Sequence, residues 1–291
     1  MLRRDHWQKH HATLDPVDDA HEIALNVGSR EFPWDTVTSL SFALFRTFAV
    51  PSVGRLLHST GEFTERTQRR YDDTSLLIEH ALRFGLGSRE GRAAVRRINR
   101  VHSPHDISND DLRYVLSTFI VVPARWIERF GYRPLTDVER DAGTQYYIAL
   151  GHLMGIKDIP TSFAEFAQLM DSYESENFAF DPGSRAVADA TLDLVATFRP
   201  YCFAPRWVVR RFAYVLMDQP LRDAFRYPKP TLPERLACLG LLELRRRLLR
   251  LMPARERQKF SEDFGYIRSY PDGHAVDQLG PPSTLPTDLA G

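Results

Sequence analysis

Apolar residues recur at helical spacing along almost the whole of this 291-residue chain, and this periodicity constrains the fold more than any other feature. Alternating strand patterns joined by two-residue glycine turns are missing from the sequence. Helix starts carry capping chemistry, as where Thr136 precedes Glu139 by three positions, and glycines such as Gly85 and Gly131 stand where helices should end. The pattern therefore predicts an all-α protein.

The predicted helices follow one another without a linker or an internal repeat, which indicates a single multi-helix domain. They lie near residues 33–48, 51–59, 62–84, 89–102, 109–130, 137–154, 162–177, 183–198, 205–226 and 232–252. Pro123 is expected to kink the fifth helix, and Pro220 to break the ninth. We predict that residues 26–270 form the domain, that 1–25 are a loose polar arm, and that 271–291 are a disordered tail rich in proline and glycine.

The chain has 38 Lys+Arg and 38 Asp+Glu residues, so its overall charge gives no sign of a polyanionic partner. The charges are unevenly distributed, because residues 205–260 hold fourteen basic and five acidic side chains. This excess favours contact with an anionic surface such as phospholipid headgroups, and a basic face that only contacts solvent is the alternative. The sequence has no nucleic-acid-binding pattern, no apolar stretch of about 20 residues and no secretory signal, so we expect a cytoplasmic protein with peripheral membrane contact.

One predicted helix, residues 89–102, carries a histidine on its apolar face. Ile98, Asn99 and His102 share this face, whereas Arg97 and the other arginines of the helix point away from it. An imidazole aimed at an apolar interior is either hydrogen-bonded or bound to a metal. A structural histidine is the more frequent of these two outcomes.

The predicted helix 62–84 places Arg70 and Thr74 on its apolar face. A buried arginine costs several kcal/mol unless it is paired. Arg70 therefore needs an anionic partner, either a nearby acid such as Asp72 or Asp73 or the carboxylate of a bound cofactor. The Thr74 hydroxyl either positions a small polar molecule or bonds back to its own helix.

Motifs for most other catalytic chemistries are missing. The sequence has no His-Glu-x-x-His zinc motif, no Glu-x-x-His di-iron pair and no Gly-x-Ser-x-Gly elbow. What remains is an inward histidine, an inward arginine with a threonine, and helices that are otherwise aliphatic and aromatic. A haem pocket needs an axial imidazole, basic groups for the propionates and an apolar slot for the ring, and this inventory matches that need.

Several motifs resemble the MpaB oxygenase and rubber oxygenase (latex-clearing protein) family. They are Arg-Ile-Asn-Arg-Val-His at 97–102, Ile-Ser-Asn-Asp-Asp-Leu-Arg-Tyr-Val-Leu-Ser-Thr-Phe at 107–119, Pro-Ala-Arg-Trp at 123–126 and Arg-Tyr-Asp-Asp-Thr at 70–74. The likeness covers about residues 40–250, and the order and spacing of the short motifs make it fairly specific. It is closer to the MpaB-like branch than to the rubber-cleaving enzymes.

The resemblance implies a globin-like helical core that binds haem b, with His102 as the axial ligand of the iron. It also implies that Arg70 and Thr74 lie on the open, oxygen-binding side of the iron. Asn99 stands where the rubber enzymes have an arginine, and we count it as a cofactor-binding residue that orients the ligand helix, with a merely tolerated amide as the alternative. Asp73 replaces a lysine that closes the sixth iron position in the rubber enzymes, which argues against such a capped state.

Other side chains compete for the role of axial ligand. His105 lies in the loop three residues after the predicted ligand, and His152 ends a helix, where a packing or capping role is the alternative. His80 is off the apolar stripe of its helix and is expected at the surface. Tyr146 and Tyr147 are expected in the core or at the rim of the pocket rather than on the iron.

We therefore predict a haem b-dependent oxygenase that uses O2 to cleave a C=C bond of a lipophilic, isoprenoid-like substrate. The protein would hold the iron, exclude water and position the double bond, while the redox chemistry belongs to the cofactor. Three alternatives stay open: a non-catalytic haem or lipid carrier, a helical scaffold without a cofactor, and a haem peroxidase or hydroxylase with the same pocket.

Overall fold

The computed structural model describes residues 2–281, and α-helices dominate it, as the periodicity predicts. Within those residues the only β-type contact is one isolated bridge, between Leu2 and Ala254. The helices, numbered in chain order, are α1 (His6–His11), α2 (Ala20–Asn26), α3 (Pro33–Phe48), α4 (Pro51–Ser59), α5 (Glu62–Glu65), α6 (Thr67–Phe84), α7 (Arg89–His102), α8 (Asn109–Phe130), α9 (Asp137–Leu153), α10 (Phe163–Asn177), α11 (Pro182–Val195), α12 (Arg206–Leu216), α13 (Gln219–Ala224) and α14 (Leu232–Leu251). The all-α fold class is confirmed, and the globin-like core stays a prediction.

Local chemistry sets the helix ends close to where the sequence predicts them. Helices α3, α4, α7 and α8 begin and end at the predicted residues. The Thr136 hydroxyl accepts the backbone N–H of Glu139, and the Glu139 carboxylate accepts that of Thr136, which completes a capping box at the start of α9. Gly85 ends α6 with a φ of 79°, a conformation that favours glycine.

Two predicted helices are interrupted. The predicted helix 62–84 is split because Arg66 leaves the helical conformation, with φ −128° and ψ 40°, and separates α5 from α6. The predicted helix 205–226 breaks at Met217 and Asp218, just before Pro220, and the Asp218 carboxylate caps α13 by accepting one of its backbone N–H groups.

Helix packing brings the two helices with the predicted site residues together. The long helices α3 and α8 pack along each other, and α6 packs against α7. Buried side chains such as Ala43, Tyr114 and Val121 fill the space between α3 and α8, and α10 adds Phe166. Because α6 carries Arg70 and α7 carries His102, their pairing is what positions the candidate site.

No single helix within residues 2–281 has the length and hydropathy that a membrane span needs. Taken together, α3 and α4 reach that length and composition, but the chain bends by 97° between them. Both helices contribute to the protein core, where Phe45, Phe48 and Gly54 are buried.

The N-terminal segment is not the loose arm that its composition predicts. His11 of α1 is fully buried, and its Nδ1 lies 2.8 Å from Oε1 of Glu139. Trp7 donates from Nε1 to the carbonyl of Arg255 at 2.8 Å. The prediction is wrong for residues 2–25 because side chains in this segment find partners far along the chain, which no local pattern indicates.

The predicted disordered tail is packed against the protein as far as the structure describes it. Leu279 is fully buried, and its carbonyl accepts a hydrogen bond from Nε of Arg97. Arg97 is therefore buried, which the sequence did not predict, because the C-terminal segment covers this side of α7. Residues 282–291 of the predicted tail lie outside the described residues.

Candidate functional site

A cavity of about 280 Å³ lies between helices α3 to α9. Its lining is mainly aliphatic and aromatic, and includes Leu44, Phe48, Val53, Leu56, Leu57, Phe63, Leu77, Ile98, Val101, Leu112, Val115, Leu116, Phe119 and Leu150. Arg70, Thr74 and His102 also reach the cavity, the first two from α6 and the third from α7. The fold thus brings three of the four predicted site residues to one apolar space.

The imidazole of His102 lines the cavity from the C-terminal end of α7. Its side chain makes no hydrogen bond to another residue of the described chain. Burial, followed by the nearby Arg70 and His105, lowers the pKa of His102 from 6.5 to about 4. At neutral pH the ring is therefore uncharged and offers the lone pair that a metal ligand requires.

Arg70 faces the same cavity and forms no ion pair with a carboxylate of residues 2–281. Burial lowers its pKa, although Asp73 and Glu62 are close enough to oppose that effect. Its Nη1 donates to Oγ1 of Thr74, and the Thr74 hydroxyl donates to the Arg70 carbonyl at 2.9 Å. The threonine thus holds the guanidinium at the cavity wall, where its remaining N–H groups can bind an anion or an oxygen atom.

Asp73 does not line the cavity. Its carboxylate is buried and accepts a hydrogen bond from the hydroxyl of Tyr270, in the C-terminal segment. Burial raises the pKa of Asp73, and the Tyr270 hydroxyl opposes that rise. The neighbouring Asp72 accepts the backbone N–H groups of Arg268 and Ser269, at 3.0 and 2.8 Å. Both acids therefore anchor the C-terminal segment and neither forms an ion pair with Arg70.

Asn99 does not line the cavity either. Its side-chain nitrogen donates to the carbonyl of Leu153, at the C-terminal end of α9, at 3.0 Å. This bond joins α7, the helix of His102, to α9 and helps to fix the position of α7. Direct contact between Asn99 and a cofactor stays a prediction.

The rival ligands differ in where they lie. His105 lines the cavity from the loop that follows α7, and Tyr147 lines it from α9. His152 is exposed and outside the cavity. His80 also lies outside it, with its ring 5.1 Å from the ring of Phe84.

Two further residues line the cavity: Tyr147, which was expected in the core or at the rim of the pocket, and Pro281, which carried no prediction. Tyr147 lines the wall with its ring stacked 6.0 Å from that of Phe119, and burial raises the pKa of its hydroxyl. Tyr147, Leu150 and Met154 recur at i, i+3 and i+7, a spacing that predicts one shared face of the helix. Pro281 reaches the cavity from the C-terminal segment, and no local pattern indicates it.

Comparison with known families and proteins finds relatives over most of the chain. The family model described as ER-bound oxygenase mpaB/B'/Rubber oxygenase, catalytic domain, matches residues 36–254. ER-bound oxygenase mpaB' of Penicillium brevicompactum is 32% identical over 253 residues, which are 81% of this chain and 59% of that protein. ER-bound oxygenase mpaB of the same organism is 32% identical over 244 residues, 78% of this chain and 62% of that protein. The chain thus spans about three fifths of the length of these two relatives.

One solved structure resembles this chain in its fold. The structure of Latex Clearing Protein LCP in the closed state covers 79% of this chain and 67% of its own, with a TM-score of 0.53 and 14% identity. At this identity the likeness shows a shared helical fold and no more. The family match spans the helices that line the cavity, from α3 to α9. The chain therefore belongs to the MpaB oxygenase and rubber oxygenase family, as its motifs predict.

Proposed function

We propose that this protein is a haem b-dependent oxygenase whose cavity takes a lipophilic substrate. The observation that carries the proposal is the presence, in one apolar cavity, of the uncharged His102 imidazole and of the Arg70 guanidinium without a carboxylate partner. The family description, which names oxygenases, supports the reaction class and O2 as co-substrate.

The cavity residues fit haem b. A porphyrin supplies its own ligands to the iron, so the protein needs to add only an axial group such as an imidazole. His102 meets that need, whereas residues 2–281 contain no group of three or more His, Cys, Asp and Glu side chains that could hold a metal ion by themselves. Arg70 fits a propionate by its charge, and the aliphatic lining fits the ring.

Each of these side chains has a definite task under this proposal. Haem, when bound, supplies the redox chemistry with O2. His102 is already uncharged at neutral pH and would hold the iron without first releasing a proton. Arg70 donates N–H groups to an anionic or oxygen atom in the cavity, and Thr74 fixes the direction in which it does so. The aliphatic side chains exclude water and contact the hydrocarbon of the substrate.

We further propose an alkene substrate of isoprenoid type, cleaved at a C=C bond into two carbonyl products that each take one atom of O2. The apolar lining supports a lipophilic substrate, and the rubber oxygenases named in the family description support a polyprenyl chain. The predicted membrane contact through residues 205–260 suits a substrate of this solubility, because such molecules partition into lipid.

The test is incubation of the haem-loaded protein with a polyprenyl alkene under isotopically labelled O2. We expect carbonyl products that carry the label, detected by mass spectrometry. Haem binding without any oxygenated product would instead identify a carrier. Alcohol or epoxide products would identify a hydroxylase or peroxidase, and in either case the cleavage proposal fails.

A further inference from the structure

Helix α14 carries an apolar stripe that nothing within residues 2–281 covers. Leu241, Leu244, Leu248 and Leu251 are 57%, 54%, 53% and 85% exposed. They recur at spacings of three and four residues and therefore lie on one face of the helix. The opposite face packs on the protein, where Leu239, Leu242 and Leu249 are partly buried. A continuous row of exposed leucines is typical of a surface that binds something apolar.

A pocket of about 380 Å³ contains an arginine whose hydrogen-bonding capacity is not used. Its lining is Arg3, Arg4, Asp5, Gln8 and Tyr132. The side chain of Arg4 is 15% exposed, and its guanidinium carbon lies 3.6 Å from the centre of the Tyr132 ring. Nε and Nη2 of Arg4 are buried, and neither has a hydrogen-bond partner in the described chain. Oε1 of Glu31 lies 3.9 Å from Nη2, too far for a hydrogen bond.

The charges around Arg4 leave a positive excess. Burial raises the pKa of Glu31 to about 7, so this carboxyl neutralises Arg4 only in part at neutral pH. Arg255 is a second arginine near Arg4; burial, followed by the charge of Arg4, lowers its pKa. Asp5, the carboxylate of the pocket lining, is itself 2.7 Å from the ammonium nitrogen of Lys9. The pocket therefore favours an anion with several oxygen acceptors.

Backbone contacts place this pocket at the end of the leucine stripe. The N–H of Ala254 donates to the carbonyl of Leu2 at 3.3 Å, next to the arginines of the pocket. Nε of Arg250 donates to the carbonyl of Tyr132 at 2.9 Å. Because Leu251 lies between Arg250 and Ala254 in the chain, the C-terminal end of the stripe is close to the pocket.

We propose that this surface docks on an anionic phospholipid membrane, with the α14 leucine stripe in the acyl boundary and a headgroup phosphate in the Arg4 pocket. Neighbouring N–H groups of a guanidinium match two oxygens of one phosphate. An apolar helix face beside cationic side chains is the pattern of a helix that lies in the membrane interface. The excess of basic over acidic side chains in residues 205–260, fourteen against five, adds long-range attraction between this part of the chain and an anionic membrane.

This inference specifies the membrane contact of the proposed function, but it does not depend on haem or on oxygen chemistry. Its test is co-sedimentation of the full chain with vesicles of phosphatidylcholine alone or mixed with phosphatidic acid. We expect binding to the mixed vesicles only. Arg4→Gln should weaken that binding about fivefold. The double variant Leu244→Gln with Leu248→Gln should weaken it about tenfold or more, because both leucines would leave the acyl boundary.

Two matched controls change similar side chains elsewhere. Arg96→Gln removes an exposed arginine of α7, and Val17→Gln replaces an apolar side chain that is 62% exposed. Both controls should bind the mixed vesicles like the parent chain, and circular dichroism should show that all variants are folded. The altered side chains of α14 are at the surface, so loss of folding is not expected there.

Three results would overturn the docking surface. One is a parent chain that binds neither kind of vesicle, and another is binding that the α14 and Arg4 variants leave unchanged. The third is a stable dimer in light scattering that the leucine variant separates, because a second copy of the chain would then cover the stripe. Vesicle binding without oxygenase products would remove the proposed reaction and leave this surface intact.

Discussion

Arg70 and His102 line one cavity from two packed helices, α6 and α7, and the charge of Arg70 contributes, after burial, to the low pKa of the His102 imidazole. The guanidinium is oriented by the Thr74 hydroxyl and is not neutralised by an ion pair in the described chain. The same cavity thus offers an uncharged nitrogen ligand and an available cation. Haem b, with its iron and its anionic propionates, could use both groups.

The first prediction concerns the charge of Arg70. Arg70→Gln keeps a side chain that can hydrogen-bond but removes the cation, so product formation should fall about tenfold or more. The matched control is Arg96→Gln, which removes an exposed arginine of α7 and should leave the rate unchanged. Initial rates at saturating alkene and O2 measure the effect. An equal loss in both variants would mean that the charge acts from a distance and not in the cavity.

The second prediction concerns the hydroxyl that orients Arg70. Thr74→Val keeps the shape of the side chain but removes the acceptor for the guanidinium, so the rate should fall by about threefold to tenfold. Thr74→Ser retains the hydroxyl and should restore most of the rate. If the serine variant is as slow as the valine variant, the methyl group and not the hydrogen bond is what matters at this position.

The third prediction concerns the position where the rubber enzymes have a lysine. Asp73→Lys should not add a ligand to the cavity, because Asp73 faces Tyr270 and not the cavity. It should lower the free energy of unfolding by about 3–5 kcal/mol, since an unpaired cation replaces a buried acceptor. Asp73→Asn, which keeps an acceptor for Tyr270, should cost about 1 kcal/mol. Urea unfolding measures both. A stable lysine variant with a new six-coordinate haem spectrum would contradict this placement.

The fourth prediction concerns pH and Glu79. Burial raises the pKa of its carboxyl to about 7, although the hydroxyl and N–H of Ser261 donate to Oε1 at 2.6 and 2.9 Å. The folded state therefore holds this proton more tightly than the unfolded chain does. The resulting stability is complete below the unfolded pKa of 4.5 and is lost as pH rises through about 7.

The glutamine side chain of Glu79→Gln does not ionise. This variant should therefore lack the loss of stability that ionisation of Glu79 causes as pH rises. The measurement is the free energy of unfolding of the apo-protein between about pH 5 and about pH 9. The variant should lose less stability over this interval than the parent chain. Identical slopes for the two proteins would show that Glu79 titrates normally.

Much of the fold was predictable because helix ends depend on local chemistry. The Thr136 capping box and the glycine at position 85 lie within one turn of the ends that they set. The break at Arg66 was not predicted, since no particular residue type marks the backbone conformation that Arg66 adopts. The prediction of a loose N-terminal segment was wrong, and the burial of Arg97 was not predicted, for a different reason. Arg97 bonds Leu279, 182 positions away, and only the folded chain brings such partners together.

The candidate site was predictable to the extent that helix faces determine it. His102, Arg70 and Thr74 reach one cavity because their stripes face inward and because α6 packs on α7. Asn99 sits at the edge of its stripe and contacts α9 instead, a difference in direction that periodicity does not resolve. The role of Asp73 depended on the C-terminal segment, which has no helical pattern and lies beyond the family match.

The central claim is that His102 holds haem iron from inside the cavity. The most direct measurement is the absorption spectrum of the purified chain after loading with haem b and gel filtration, compared between His102→Ala and His105→Ala. The parent chain and His105→Ala are expected to retain a Soret band of an imidazole-bound haem, and His102→Ala is expected to lose it. A His102→Ala variant that keeps both the haem and an unchanged spectrum would contradict the assignment.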